Sequence, residues 1–146
     1  MNDRYPAVIP MLCYEDCVAA LQWLAKAFGS RERRRLLEPD GRVGHAEMET
    51  RGGGVIMLGS GPDGYESPAS RCEHFERIRE WSAVPYVIDG VLAYVDDVDL
   101  HYERAKDAGA NILSSPENAP YGRLYRVEDL EGHRWMFMQQ ASASTA

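Results

Sequence analysis

Apolar and polar positions change period several times along this chain, and each change marks a predicted element. Residues 7–14 form an apolar, extended run interrupted by Pro10, which cannot donate to a sheet ladder, so the pattern predicts a first strand at a sheet edge. Beyond Asp16, a helix-capping residue type, Ala20, Leu21, Leu24, Ala27 and Phe28 recur at helical spacing until Gly29 supplies a stop. Strands are predicted over residues 30–38, 42–50 and 54–59, separated by Pro39-Asp40-Gly41 and by Gly52-Gly53, both turn chemistries. The first half therefore reads β-α-β-β-β.

The second half repeats that order. Residues 87–95 read as a strand, Asp97 caps a helix with Val98, Tyr102 and Ala105 on one face, Gly109 ends it, and strands are predicted over 111–115, 123–128 and 133–139. A period of about 80 residues is too long for a solenoid and implies a duplicated half-domain. The predicted organisation is a first module over residues 7–59, a linker over 60–83 with a short helix near 71–81, a second module over 84–140 and a small, disordered polar tail over 141–146. Phe75, Ile78 and Trp81 can share one face of the linker helix, which would let it cover a cavity; a plain surface connector fits the same pattern.

Composition narrows the class. At 146 residues, 45% hydrophobic and 27% charged, the chain has the profile of a soluble globular protein. Sixteen Lys and Arg against 23 Asp and Glu leave a net charge of −7, a field that repels phosphate backbones and anionic lipid, so neither nucleic acid nor a membrane is expected as a partner. Cys13, Cys17 and Cys72 fit neither a disulfide framework nor a zinc ribbon and read as reduced thiols of a cytoplasmic protein. The start lacks the basic and apolar segments of a signal peptide.

Several short motifs carry a family resemblance: Tyr14-x-Asp16, Trp23-Leu24, Ala27-Phe28-Gly29, His45-Ala46-Glu47, Val95-Asp96-Asp97-Val98-Asp99 and Gly132-His133-Arg134-Trp135. Together with the doubled order of elements they resemble the vicinal oxygen chelate superfamily, in its glyoxalase/bleomycin-resistance branch sometimes described as PhnB-like, over about residues 7 to 139. Leu130 departs from the usual Asp-Pro-x-Gly of the last hairpin, which alters a turn and no chemistry. The resemblance implies an α+β fold of two paired βαβββ modules enclosing a cavity, and commonly a homodimer. Metal-dependent relatives carry His, Gln or Glu ligands on the first and last strand of each module. Alignment puts Ile9, Met57, Gly90 and Met136 there, none of which binds a hard divalent ion, so no metal and no other cofactor is expected.

Alternation then gives the candidate lining: Ile9 and Met11, His45 and Glu47, Val55 and Met57, Leu92 and Tyr94, and Arg134, Met136 and Met138. Methionines suit a pocket for planar or irregular ligands, although buried methionine is as a rule core filler. Tyr121, Arg123 and Tyr125 alternate on the seventh strand, and the sequence does not choose their face. His45 and Glu47 sit with Cβ atoms about 7 Å apart and could act as an acid/base pair, but a structural polar pair is the preferred reading. Trp135 is expected beneath a helix, His74 and His101 on solvated helix surfaces, and Arg33-Arg34-Arg35 on an exposed, protected edge.

The expected ligand-binding set is His45, Glu47, Met57, Trp81, Tyr94, Tyr125, Arg134 and Met136, with no catalytic residue. The function expected is metal-free sequestration of a small apolar or aromatic compound, as resistance-type relatives do. A lyase, isomerase or dioxygenase using His45 and Glu47, with or without a metal, is the alternative, and a regulatory module with a closed cavity is a third.

Overall fold

The computed structural model describes residues 4–86 and 88–140. The predicted tail, and Val87 at the start of the predicted fifth strand, lie outside the described residues. The elements are β1 (Met11–Tyr14), α1 (Cys17–Phe28), β2 (Arg31–Leu37), β3 (Val43–Glu49), β4 (Val55–Ser60), α2 (Pro68–His74), α3 (Glu76–Trp81), β5 (Val91–Tyr94), α4 (Val98–Asp107), β6 (Asn111–Ala119), β7 (Gly122–Glu128) and β8 (Arg134–Gln140). Two α+β modules of the expected order form two mixed sheets, β1-β4-β3-β2 and β5-β8-β7-β6. In each, the first strand runs parallel to the last and the other pairs are antiparallel. Among the described residues no helix is long and apolar enough to cross a membrane.

Local chemistry sets the element ends. The Asp16 carboxylate accepts the Ala19 N–H at 3.0 Å and the Asp97 carboxylate accepts that of Leu100 at 3.1 Å, each satisfying an orphan donor of a first helical turn. Gly29 stops α1 at φ 73°, a left-handed conformation that costs a side-chain-bearing residue free energy. Strand β1 is shorter than expected because it begins only after Pro10, whose carbonyl still accepts from Met57 N–H. The linker holds two short helices: Ser67 caps α2 with Pro68 in its first turn, and Phe75 is extended between α2 and α3. Strand β6 runs on to Ala119, past Pro116, which an edge strand tolerates.

One core serves both modules. It gathers Ala20, Leu21, Leu24 and Phe28 of α1, Val98 and Ala105 of α4, and the helix-facing residues of both sheets, including Met48, Ile56, Val127 and Trp135. The Phe28 ring packs edge-on against Trp135 at 5.2 Å and Phe137 at 4.7 Å between centroids. Each such buried side chain contributes about 1.5 to 3 kcal/mol of hydrophobic stabilisation. Trp135 is fully buried on the helix side, as its alternation with Met136 predicts.

Two residues stand elsewhere than expected on this same face. His101 is not solvated: its ring lies 4.0 Å from that of Phe137, Nε2 is 3.1 Å from the Phe28 carbonyl and Nδ1 is 2.7 Å from the Tyr125 hydroxyl. A carbonyl only accepts, so Nε2 carries the proton and Nδ1 takes that of Tyr125. Burial depresses the His101 pKa to about 4. Its charged chain neighbours concealed its place, three residues from Val98 and four from Ala105, on the buried face of α4. Tyr125, expected among the ligand contacts, is fully buried beneath that helix because β7 presents Tyr125 and Val127 to the core and Leu124, Arg126 and Glu128 to the opposite side. Arg123 shares the helix side and forms a bidentate pair with Asp99 at 2.9 Å.

Polar groups fix the modules to each other. Asp129, 4% exposed in the β7–β8 turn, accepts from Tyr14 Oη at 2.7 Å, Trp135 Nε1 at 3.2 Å and the N–H groups of Glu131 and His133 at 3.0 Å. Glu131 accepts the N–H groups of Glu15 and Asp16, at 2.7 and 2.9 Å, ahead of α1. Gly132 stands at φ 89°, and a Cβ there would come within 2.6 Å of the Ala69 nitrogen. Arg134, expected to meet ligand, also ties down the linker: it pairs with Glu128 at 3.0 Å and donates to the carbonyls of Ser82, Val84 and Tyr86 at 2.5 to 2.7 Å.

Two outcomes follow for stability. The neutral His101 ring is favoured in the folded state, so the stability it confers is complete above about pH 6.5 and is lost as pH falls towards about 4. Urea unfolding across that window should show a loss of up to about 3 kcal/mol in the wild type and a much flatter profile in His101→Gln. Arg134→Met should cost about 3 kcal/mol and speed amide exchange at residues 82–86, because it leaves Glu128 and three carbonyls without their donor. Unchanged exchange in that segment would show that the guanidinium does not hold the linker.

Candidate functional site

The core lies on the helix side of both sheets, so their other faces point away from it. On the first sheet this inner face carries a row Met11, Met57, Glu47 and Arg34 across four paired strands. One pleat along it carries Cys13 beside Gly59, and His45 beside Leu36. On the second sheet the rows run Leu92, Met136, Arg126 and Ser114, then Tyr94, Met138, Leu124 and Glu117. Met11 is 77% exposed, Leu92 51% and Tyr94 47%, high values for large apolar groups.

His45 and Glu47, which the sequence placed within reach of each other, are hydrogen-bonded at 2.9 Å through Nε2 and Oε2. The other carboxylate oxygen accepts from the Tyr5 hydroxyl at 2.9 Å. These donors cover Glu47 almost completely, and they lower its pKa, the His45 bond most. Tyr5 has no signal in the periodicity, since it lies in the irregular segment before β1. The Arg33 guanidinium stands 5.0 Å over the Tyr5 ring. Elsewhere on the edge strand β2, Arg31 pairs with Glu49 and Arg35 with Glu32, so the basic run is matched by acid.

A cavity of about 490 Å³ lies where the linker crosses the junction of the modules. Its apolar wall comes from Met11 and Leu12 of β1, Cys72 of α2, Ile78 and Trp81 of α3, and Ile88. Two of the three linker residues expected on one face, Ile78 and Trp81, line it, whereas Phe75 separates the two helices and is half exposed. The polar groups at its rim are already engaged: Arg71 Nε donates to the Glu66 carbonyl at 3.0 Å, His133 Nε2 donates to that of Cys13 at 2.7 Å, and Arg134 is committed to the linker. Asp89, also on the rim, stands at φ 50°, strained backbone for a residue other than glycine. Of the expected binding set, Trp81 and Arg134 line this cavity; His45, Glu47, Met57, Tyr94 and Met136 stand outside its lining and Tyr125 is sealed in the core, while Cys72 and Ile88 join the expected Met11 and Ile78 in its wall.

The fold's metal-binding version needs hard donors on the first and last strands of each module. Here the inner-face residue beside Met57 is Met11 and the one beside Met136 is Leu92, and neither these nor the aligned Ile9 and Gly90 offers imidazole or carboxylate. His45 and Glu47 are bonded to each other, and no group of three or more His, Cys, Asp or Glu suited to a metal occurs among the described residues. The donor set does not fit a divalent ion.

Known proteins place this architecture. A solved structure of TioX from Micromonospora sp. ML1 is 32% identical, with a TM-score of 0.65 over 96% of this chain and 100% of that one. A second, TnmS3, an antibiotic binding protein from Streptomyces sp. CB03234, shares the fold with a TM-score of 0.62 over 97% of this chain and 100% of that one, at 17% identity. An uncharacterized protein of Mycobacterium tuberculosis is 29% identical over 139 residues, 92% of this chain and 74% of its own length. The sequence profile of the Glyoxalase/Bleomycin resistance protein/Dioxygenase superfamily matches residues 8–137, and the chain belongs to that superfamily.

Proposed function

We propose that the protein is a metal-free binding protein that sequesters a small apolar or aromatic, antibiotic-like compound. The observation that carries this reading is the cavity beneath the linker. Its volume of about 490 Å³ suits a drug-sized molecule, its wall is apolar, and its rim cations are engaged with protein partners instead of awaiting a substrate. The likeness of fold to an antibiotic binding protein agrees with it. Trp81 lines that cavity with Met11 and Ile78, and a ligand reaching out of it along the inner faces would meet Met57, Met136 and Tyr94 as apolar contacts and His45 and Glu47 as polar ones.

A homodimer belongs to the same proposal. Met11, Leu92 and Tyr94 leave exposed apolar groups on both inner faces, and a second copy laying its own inner faces against them would bury these groups and enlarge the cavity. The three cysteines are free thiols, which agrees with a cytoplasmic setting. Acid/base chemistry by His45 and Glu47 is the second reading, supported by their hydrogen bond.

A thermal-shift screen of aromatic and antibiotic-like compounds, with and without divalent metal, tests the proposal. A compound at about a hundred times its Kd should stabilise the protein by about 2.7 kcal/mol without any metal, and Trp81→Ala should lose most of that shift. Light scattering should give twice the 16.4 kDa of one chain. Stabilisation only with added zinc or iron, or a Trp81→Ala protein that responds like the wild type, would overturn the binding site; a 16.4 kDa species at high concentration would overturn the dimer.

A further inference from the structure

The Tyr5, Glu47 and His45 cluster lies on the inner face of the first sheet, outside the lining of the apolar cavity. Glu47 accepts from Tyr5 and stands 2.9 Å from His45 Nε2. Its carboxyl is held in the charged form and has no proton to give, so the proton of the second contact lies on Nε2. In a neutral imidazole that leaves a lone pair on Nδ1. No hydrogen-bond partner meets that nitrogen among the described residues, and the side chain is 33% exposed on the inner face.

The surroundings restrict what can donate to it. Gly59 of β4, paired with Cys13, carries no side chain, and Leu36 is paired with His45 on its other side. Glu47 beside the ring repels an anion, whereas Arg34, opposite Glu47, and Arg33, over Tyr5, repel a cation. A neutral donor meets neither penalty. The row from Met11, on the cavity wall, through Met57 to Glu47 crosses two strand spacings, roughly 10 Å. That is the span of two or three fused aromatic rings lying on methionine.

We propose that His45 Nδ1 accepts a hydrogen bond from an aromatic hydroxyl of the ligand, with Glu47 and Tyr5 as positioning residues that hold the imidazole in the accepting tautomer. This rests on the binding function proposed above and names its ligand class: flat, fused-ring compounds bearing a neutral hydroxyl at the end remote from the linker.

The test compares 2-naphthol with 2-methoxynaphthalene, which share ring and shape but differ in the donor, by calorimetric titration of the full chain. The wild type should prefer the naphthol by about tenfold. His45→Phe should bind both alike while keeping its affinity for the ether, and Glu47→Leu should lose most of the preference by freeing the ring. Nitrogen NMR supplies a readout that a merely structural role would not move: the Nδ1 resonance of His45 should shift with the naphthol and not with the ether. Equal binding of the two probes by the wild type, or a His45→Phe protein that retains the preference, overturns the hydroxyl assignment and leaves the binding function standing. If neither probe binds, the cavity is not an aromatic site and both proposals fall.

Discussion

A carboxylate in the core of this protein dictates how its two halves meet. Burial pushes the Asp129 carboxyl up towards its neutral form, a desolvation cost of several kcal/mol that only a full set of donors can offset. Two of those donors are backbone N–H groups of its own turn, and a third is the indole of Trp135. The fourth, Tyr14 Oη, comes from the other module, 115 residues away. Since Tyr14 and Trp135 both reach the carboxylate from the helix side of their sheets, the modules are drawn together through α1 and α4. A Glu131 carboxylate that seats the start of α1 acts in the same direction.

That choice of docking side determines the site. With the helices between them, the sheets turn their other faces away from the shared core, where Met11, Leu92 and Tyr94 are exposed, Met57 and Met136 partly so, and Met138 and Leu124 are buried. The linker must then cross the junction, where Arg134 fastens residues 82–86 and α3 brings Trp81 and Ile78 over β1. The cavity is thus a consequence of the docking and of one guanidinium with four partners. The His45 cluster stands on the same inner face, on a strand whose apolar neighbours supply a flat bed beside it.

Much of this was legible because it is local. Asp16 and Asp97 announce their helices by capping, Gly29 ends the first by its left-handed backbone, and strict alternation separates Trp135 from Met136. What was missed depends on partners distant in sequence. His101 sits among charges along the chain and among aromatic rings in space. Tyr125 belongs to a strand whose period is plain but whose parity only its pairing with Phe137 decides. Alternation with Met136 put Arg134 on the inner face, but its carbonyl partners, about fifty residues earlier in the chain, left no sign there. Tyr5 and Asp129 carry no pattern at all, each being one polar residue in a loop or turn.

The dependence of the fold on the buried carboxylate is tested most directly by a double-mutant cycle in urea on Tyr14→Phe and Asp129→Asn. The two side chains meet in a buried hydrogen bond of 2.7 Å across the module boundary. The account predicts a single cooperative transition and a coupling free energy of about 1 to 3 kcal/mol between the substitutions. Effects that add to within about 0.5 kcal/mol would contradict it. The modules would then be held by their shared apolar core alone, and the outward turn of the two inner faces would need another cause.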